Sequence, residues 1–164
     1  ELEWNNHRRG IDMDFAIDIF KAKTAPAFEV SLLLGAICAN ADNELIAPLK
    51  AYSEALGVAY QLKDDLEDFQ DDLPIELRPS AIFADICENC AQRDMINELI
   101  ASNDIKSLLQ SPTYAPYLGH AKVRVKEMIE EYRDKAFESL NGVRNIELKR
   151  LLFRTISKAI KLTV

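Results

Sequence analysis

Four polar side chains recur at helical spacing near the middle of the chain and can together hold a cation. They are Gln61, Asp64, Asp65 and Asp68, separated by intervals of three, four and seven residues. On an α-helix these intervals place the side chains on one face, and the rise from Asp64 to Asp68 is about 6 Å. Mg²⁺ usually binds one or two protein carboxylates together with water and phosphate oxygens. The spacing therefore predicts a site for a magnesium–diphosphate ligand.

The same stretch concentrates negative charge where a helix tolerates it least. Residues 57–72 contain six carboxylates and one lysine, so they hold −5 of the formal net charge of −7. From Asn43 onward apolar residues recur every three or four positions, and no residue breaks this helical period before Pro74. The acids therefore fall in the last turns of a helix, where each anion is unfavourable by roughly 0.3–1 kcal/mol. A bound cation would explain why they are placed there.

The acidic stretch has two other interpretations. A run of charge on a helix is often a solvated face that binds nothing, and this is the main alternative to a ligand site. A calcium loop of the EF-hand type does not fit, because the stretch lacks both the glycine at the turn and the glutamate at the required distance.

Length and composition limit the class of protein. The 164 residues are enough for a hydrophobic core, and we predict a single domain over residues 1–164. Five glycines and few clustered turn signals leave long uninterrupted segments, which favours an all-α helical bundle. The net charge of −7 argues against a nucleic-acid partner, which requires a basic surface. The longest apolar run, residues 30–39, is too short to span a membrane.

The cysteines predict a reducing environment. Three cysteines do not suggest a disulfide framework, so we expect a cytoplasmic location. Cys87 and Cys90 form one C-x-x-C pair, but no histidine at ligand spacing completes a zinc site. We therefore expect both to be small residues inside a helix.

A motif of six specified positions covers the acidic stretch. It reads Gly57-x-x-Tyr60-Gln61-x-x-Asp64-Asp65-x-x-Asp68. It resembles the second aspartate-rich motif of the trans-isoprenyl diphosphate synthases, the polyprenyl synthetase family. The resemblance implies that Asp64, Asp65 and Asp68 bind Mg²⁺ directly or through water, with Asp64 the strongest candidate. It also implies that Gln61 contacts the diphosphate or steadies the cation formed from the substrate.

Three further positions correspond to phosphate contacts in the same family. Lys23 and Thr24 resemble its Lys-Thr pair, which contacts the diphosphate of the allylic substrate, and Lys23 lies 41 residues before Asp64, about the family's separation. An ammonium supplies charge for a phosphate and a hydroxyl adds a hydrogen bond. After the motif the chain departs from the family, which has a Gly-Lys pair where this sequence has Arg78-Pro79-Ser80. Arg78 is the candidate for that cation because guanidinium binds phosphate bidentately, and the alternative is an exposed loop arginine.

The resemblance also implies a fold and a reaction. It predicts that the all-α bundle is part of the class I isoprenoid synthase fold and that the chain is the later half of a longer protein. The family's reaction is prenyl transfer, the Mg²⁺-dependent condensation of isopentenyl diphosphate with an allylic diphosphate to give a longer polyprenyl diphosphate. Since the family's first DDxxD motif does not precede residues 64–68 here, we expect this chain alone to be inactive.

Two other functions and one assembly state follow from the same pattern. The chain can instead be a non-catalytic interaction or regulatory subunit derived from the family. The coding sequence before Glu1 discriminates between this alternative and a prenyltransferase. A terpene cyclase is less favoured because such enzymes usually carry an N-D-x-x-S-x-x-x-E motif, which is absent. A truncated bundle exposes apolar helix faces, so we predict a homodimer or higher oligomer.

Overall fold

A computed structural model of the chain describes residues 12–69, 80–89 and 111–161. Within these ranges every regular element is a helix and no β-strand occurs, so the predicted all-α class is confirmed. No helix in the described ranges has both the length and the hydropathy that crossing a membrane requires. The sequence also predicts short surface helices at 94–101 and 104–110, and these residues lie outside the described ranges, as does Arg78.

Six α-helices lie within the described ranges, and we number them in chain order. They are α1 (Met13–Lys23), α2 (Ala25–Cys38), α3 (Ile46–Asp68), α4 (Ala81–Asn89), α5 (Ala115–Ser139) and α6 (Ile146–Ala159). Short 3-10 helices at Asn43–Leu45 and Leu140–Gly142 lie before α3 and after α5. The long helix that the apolar period predicts is α3, but it ends at Asp68 and a turn follows at Phe69, so the predicted continuation to Pro74 is wrong. Residues 70–79 lie outside the described residues.

The starts of α3 and α4 follow local capping signals. Ser80 caps α4, since its Oγ accepts a hydrogen bond from the backbone N–H of Phe83 at 3.1 Å. Before α3, the Asp42 carboxylate accepts from the backbone N–H of Glu44 at 3.1 Å. The sequence also offers Asn43 as a helix N-cap, but that prediction is wrong by one residue, because Asn43 is the first residue of the 3-10 segment and Asp42 caps it.

The chain folds into two compact units. The first comprises the described residues among 1–19 and 64–126, and its buried apolar residues lie chiefly on α4, with Ala121 and Val125 from the first part of α5. The second comprises the described residues among 20–63 and 127–164, and its core is formed chiefly by α3 and the buried face of α6. The single domain expected over residues 1–164 stays a prediction.

Helix α2 differs from the central bundle helix that its apolar sequence predicts. Ala25 and Ala36 are its buried residues, whereas Val30, Leu34 and Ile37 are 56%, 56% and 65% exposed. Gly35 in an apolar helix predicts a close contact with a neighbouring helix, but a Cβ built there meets no atom within 4 Å, so that prediction is wrong. Apolar composition shows that a surface favours burial, but it does not specify which element covers that surface.

Tyr52 joins α3 to α6 inside the second unit. Its side chain is 1% exposed, and its hydroxyl donates a hydrogen bond to the Leu152 carbonyl oxygen at 3.0 Å. Burial raises the pKa of Tyr52 to about 12, while a hydrogen bond with the Thr155 side chain opposes that shift. The folded protein therefore disfavours the phenolate form of this residue.

We expect alkaline pH to destabilise the protein through Tyr52. In the unfolded chain the tyrosine pKa is about 10, so the unfolded state loses this proton first as the pH rises. The stabilisation is complete below about pH 10, and up to about 3 kcal/mol is lost by about pH 12. Urea unfolding at neutral and at alkaline pH measures the free energy of unfolding of the wild type and of Tyr52→Phe. The variant should lose less of this free energy than the wild type when the pH is raised. Equal losses would assign the alkaline transition to other groups.

Candidate functional site

The predicted motif side chains lie in the last two turns of α3. Gln61, Asp64 and Asp68 are half-buried, and Asp65 is 1% exposed. Since α3 ends at Asp68, these acids lie at the negative end of the helix dipole. The boundary between the two units falls directly before Asp64, so Gln61 belongs to the second unit and the three aspartates belong to the first.

Thr24 and Gln61 meet in the second unit. The Thr24 Oγ1 donates a hydrogen bond to the Gln61 Oε1 at 3.0 Å. Thr24 is the N-cap residue of α2, a position where threonine usually accepts a hydrogen bond from the helix backbone, yet its side chain makes no such bond. Its hydroxyl instead joins two site residues that lie 37 positions apart in the sequence.

Gly57 allows the start of α2 to lie directly against α3. A Cβ at Gly57 would lie 2.7 Å from the Cα and 2.9 Å from the backbone N of Ala25. Both are backbone atoms, so no change of side-chain rotamer relieves the overlap. The glycine of the motif is therefore required by close approach of two helices.

Tyr60 provides a third contact with the beginning of α2. Its ring meets Phe28 edge-on, with ring centroids 6.1 Å apart and planes inclined at 61°. Tyr60 is 42% exposed, although the apolar period of α3 includes it. All three non-acidic positions of the motif thus contact the first residues of α2 or the residue that precedes it. These contacts hold Thr24, and with it the exposed Lys23 at the end of α1, beside α3.

Asp65 has a partner on α4 in the first unit. Its Oδ2 accepts a hydrogen bond from the backbone N–H of Ala81, the first residue of α4, at 2.8 Å. A carboxylate is favourable at a helix N-terminus because it pairs with the unsatisfied N–H groups and the positive end of the dipole. Asp65 therefore positions α4, and the direct magnesium contact expected of it stays a prediction.

The donor set of Asp64 and Asp68 suits magnesium carried by a diphosphate. Their oxygens are the hard ligands that Mg²⁺ prefers, and the two residues are one helical turn apart. Within residues 12–69, 80–89 and 111–161, no three His, Cys, Asp or Glu side chains form a group that could hold a metal ion by itself. Two protein carboxylates with the remaining ligands from water and phosphate are sufficient for Mg²⁺. The residues present therefore fit the ligand that their spacing predicts.

Lys122 is a cation near the acidic stretch that sequence reasoning missed. Its Nζ donates to the carbonyl oxygen of Phe69, the residue that follows α3, at 3.5 Å. A cation at a helix C-terminus is favourable because it meets the negative end of the dipole. Lys122 lies on α5, 53 positions from Phe69, and no local pattern marks it. The predicted roles of Lys23 and Arg78 toward a phosphate stay predictions, the latter outside the described residues.

Comparison with known proteins identifies one family and one fold. The polyprenyl synthetase family matches residues 1–105. The structure of a geranylgeranyl pyrophosphate synthase matches with a TM-score of 0.70 at 20% identity, covering 97% of this chain and 54% of that one. A decaprenyl diphosphate synthase from Rhodobacter capsulatus matches with a TM-score of 0.67 at 18% identity, covering 91% of this chain and 50% of that one. No curated protein sequence matches. The chain shares the fold of these structures, as expected, and spans about half the length of each.

Proposed function

Because the chain belongs to the polyprenyl synthetase family, we propose that it is the part of a prenyltransferase that binds the diphosphate of the allylic substrate. The reaction is condensation of isopentenyl diphosphate with an allylic diphosphate to give a longer polyprenyl diphosphate. The observation that carries the proposal is the hydrogen bond between Thr24 and Gln61, because it joins the Lys-Thr pair to the helix that bears the acidic motif.

Each proposed site residue has a distinct role in binding the diphosphate. Asp64 and Asp68 hold Mg²⁺ together with water and phosphate oxygens. Bound Mg²⁺ stabilises the negative charge that develops on the departing diphosphate. Lys23 supplies a point charge, and Arg78 a bidentate guanidinium, to the phosphate oxygens. Asp65 supports the site through α4, by its bond to the Ala81 N–H.

Thr24 and Gln61 act as a pair in this proposal. The hydroxyl of Thr24 has one proton, and that proton is directed to the Gln61 oxygen. The hydroxyl oxygen of Thr24 can still accept a hydrogen bond, whereas the amide nitrogen of Gln61 can donate one to a ligand. We therefore propose that Gln61 donates the hydrogen bond to the diphosphate. In this proposal Thr24 fixes the orientation of the Gln61 amide, in place of the direct diphosphate contact that the resemblance implies for it.

The chain alone should not turn over substrate. Residues 64–68 are its DDxxD sequence, whereas the family's reaction uses two facing sets of carboxylates. Incubation with Mg²⁺, isopentenyl diphosphate and an allylic diphosphate should give no elongated product. A polypeptide extended upstream to include an earlier DDxxD motif should give that product, and Asp64→Ala should abolish it. Efficient turnover by the isolated chain, or an active Asp64→Ala variant, would contradict the proposal.

Assembly into a homodimer or larger oligomer is part of the proposal. Val30, Leu34 and Ile37 recur at intervals of four and three, so they form one exposed apolar stripe along α2. Contiguous apolar surface favours association. Sedimentation velocity at tens of micromolar should show a dimer or larger species, and Leu34→Gln should shift it toward monomer. A wild type that sediments only as monomer would exclude this assembly.

A cytoplasmic location completes the proposal. Cys38 and Cys87 form no disulfide within the described part of the chain, which fits a reducing compartment. No contact among the described residues favours the alternative of a non-catalytic interaction subunit.

A further inference from the structure

Helix α6 and the residues after it concentrate positive charge on a protein that is acidic overall. Residues 146–161 contain five basic side chains and one carboxylate, a charge of +4, whereas the whole chain carries −7. The five basic residues are Lys149, Arg150, Arg154, Lys158 and Lys161. A local reversal of charge of this size defines a surface that can bind an anionic partner.

Most of this charge lies on one exposed face. All the basic residues except Lys149 are exposed. Intervals of four residues place Arg150, Arg154 and Lys158 along one side of the helix, and Lys161 follows the helix end. The opposite side packs into the core of the second unit through Leu152, Ile156 and Ile160. The basic face is therefore held outward by burial of the other face.

Little of this charge is neutralised by the residues that the structure describes. Arg150 Nη1 lies 3.3 Å from Glu147 Oε1, but the two side chains are 69% and 84% exposed, so the pair contributes little. Arg154, Lys158 and Lys161 have no ion-pair partner among the residues that the structure describes. At least three positive charges are thus available to an external ligand.

Large apolar side chains border the basic face. Ile146, Leu151 and Phe153 are 66%, 61% and 53% exposed. One side of the Phe153 ring packs against Phe137 of α5, with centroids 4.6 Å apart, which holds the ring at the edge of the face. A nucleic-acid backbone would use the charges but not these apolar groups. A membrane surface uses both, because phosphate headgroups attract the basic residues and apolar side chains enter the interface.

We propose that the exposed face of residues 146–161, which we call the basic face of α6, binds the surface of membranes that contain anionic lipids. The helix lies along the interface, its basic side chains meet the lipid phosphates, and Leu151 and Phe153 contact the acyl boundary. The acidic remainder of the protein restricts binding to orientations in which α6 faces the membrane. This surface includes none of the residues assigned to the diphosphate site, so membrane binding does not depend on the proposed activity.

Co-sedimentation of the full chain with lipid vesicles tests the proposal. The wild type should bind phosphatidylcholine vesicles that contain phosphatidylglycerol, and should not bind vesicles of phosphatidylcholine alone. Binding should weaken steeply as salt is raised, because salt screens exposed charges. Arg150→Gln, Arg154→Gln and Lys158→Gln combined should lower the partition coefficient about 100-fold, since each basic residue near an anionic surface contributes about fivefold.

A matched variant removes the same charge from other parts of the surface. Lys50→Gln, Lys126→Gln and Lys135→Gln combined affect three exposed lysines on α3 and α5. This variant should retain most of the binding, and thermal unfolding followed by circular dichroism should show that both triple variants are folded. Leu151→Gln leaves the charge unchanged and should weaken the binding that persists at high salt.

Three results would overturn the proposal. The first is binding by the α6 triple variant equal to that of the wild type, and the second is an equal loss in the matched variant. The third is a wild type that does not bind anionic vesicles but forms oligomers that depend on Leu151 and Phe153. That result would assign the face to a contact between copies of the chain.

Discussion

Replacing Asp64 and Asp68 together by asparagine should abolish the thermal protection that Mg²⁺ with pyrophosphate gives the chain. The two carboxylates are one turn apart at the negative end of α3, and they are the residues whose chemistry suits a magnesium–diphosphate ligand. A ligand at a hundredfold excess over its Kd stabilises the folded state by about 2.7 kcal/mol. This whole increment should be lost in the variant. Differential scanning calorimetry with and without Mg²⁺ and pyrophosphate measures it.

The same variant should be more stable than the wild type when no ligand is present. Each carboxylate at a helix C-terminus costs roughly 0.3–1 kcal/mol, and like charges four residues apart add a few tenths. Removing the unfavourable interaction with the helix dipole and the repulsion between the two carboxylates should raise Tm by a few degrees, since about 1 kcal/mol corresponds to roughly 2–4 °C for a protein of this size. The variant should therefore be more stable than the wild type without ligand and less stable than the wild type with Mg²⁺ and pyrophosphate. Two carboxylates with only a structural role would change the stability in the same direction under both conditions.

A second pair of acids on α5 provides the control. Glu127 and Glu131 are exposed and have the same spacing of four residues, so replacing both by glutamine removes equal charge. This variant should keep the protection by Mg²⁺ and pyrophosphate. If the wild type shows no protection while the Asp64 and Asp68 variant is simply more stable, the acids are a solvated helix face and the proposed function is wrong.

Gly57→Ala should destabilise the protein by about 1–3 kcal/mol, the usual cost of forcing a methyl group into occupied space. The new Cβ would lie 2.7 Å from the Cα of Ala25, so α2 must move away from α3. Alanine is about 1 kcal/mol better than glycine inside a helix, so the measured loss understates the steric cost. The shift should also displace Thr24 from Gln61 and weaken the binding of Mg²⁺ and pyrophosphate. Urea unfolding and calorimetry measure the two effects.

Gly119 offers the matched substitution on α5. It lies on an exposed part of that helix, and a Cβ there meets no atom within 4 Å. Gly119→Ala should therefore stabilise the protein by about 0.5–1 kcal/mol through helix propensity alone. Similar stabilisation by Gly57→Ala would show that the close approach of α2 and α3 is not required.

The sequence by itself determined the helical class and the location of the candidate site. The apolar period of residues 46–68 and the capping preference of Ser80 depend on residues within a few turns, so local rules account for α3 and for the start of α4. The same spacing placed Asp64 and Asp68 one turn apart at the end of α3. The motif also identified the family that residues 1–105 match.

Tertiary structure alone decided what the other motif residues contact. Gly57 accommodates the start of α2, Gln61 accepts from Thr24, and Asp65 accepts from the first N–H of α4. It also decided that the apolar stripe of α2 is exposed and that Lys122 meets the end of α3. Helical periodicity specifies which side of a helix an amino acid occupies, but not which distant segment packs there. These contacts join residues 16 to 53 positions apart, so they depend on how the helices fold against one another.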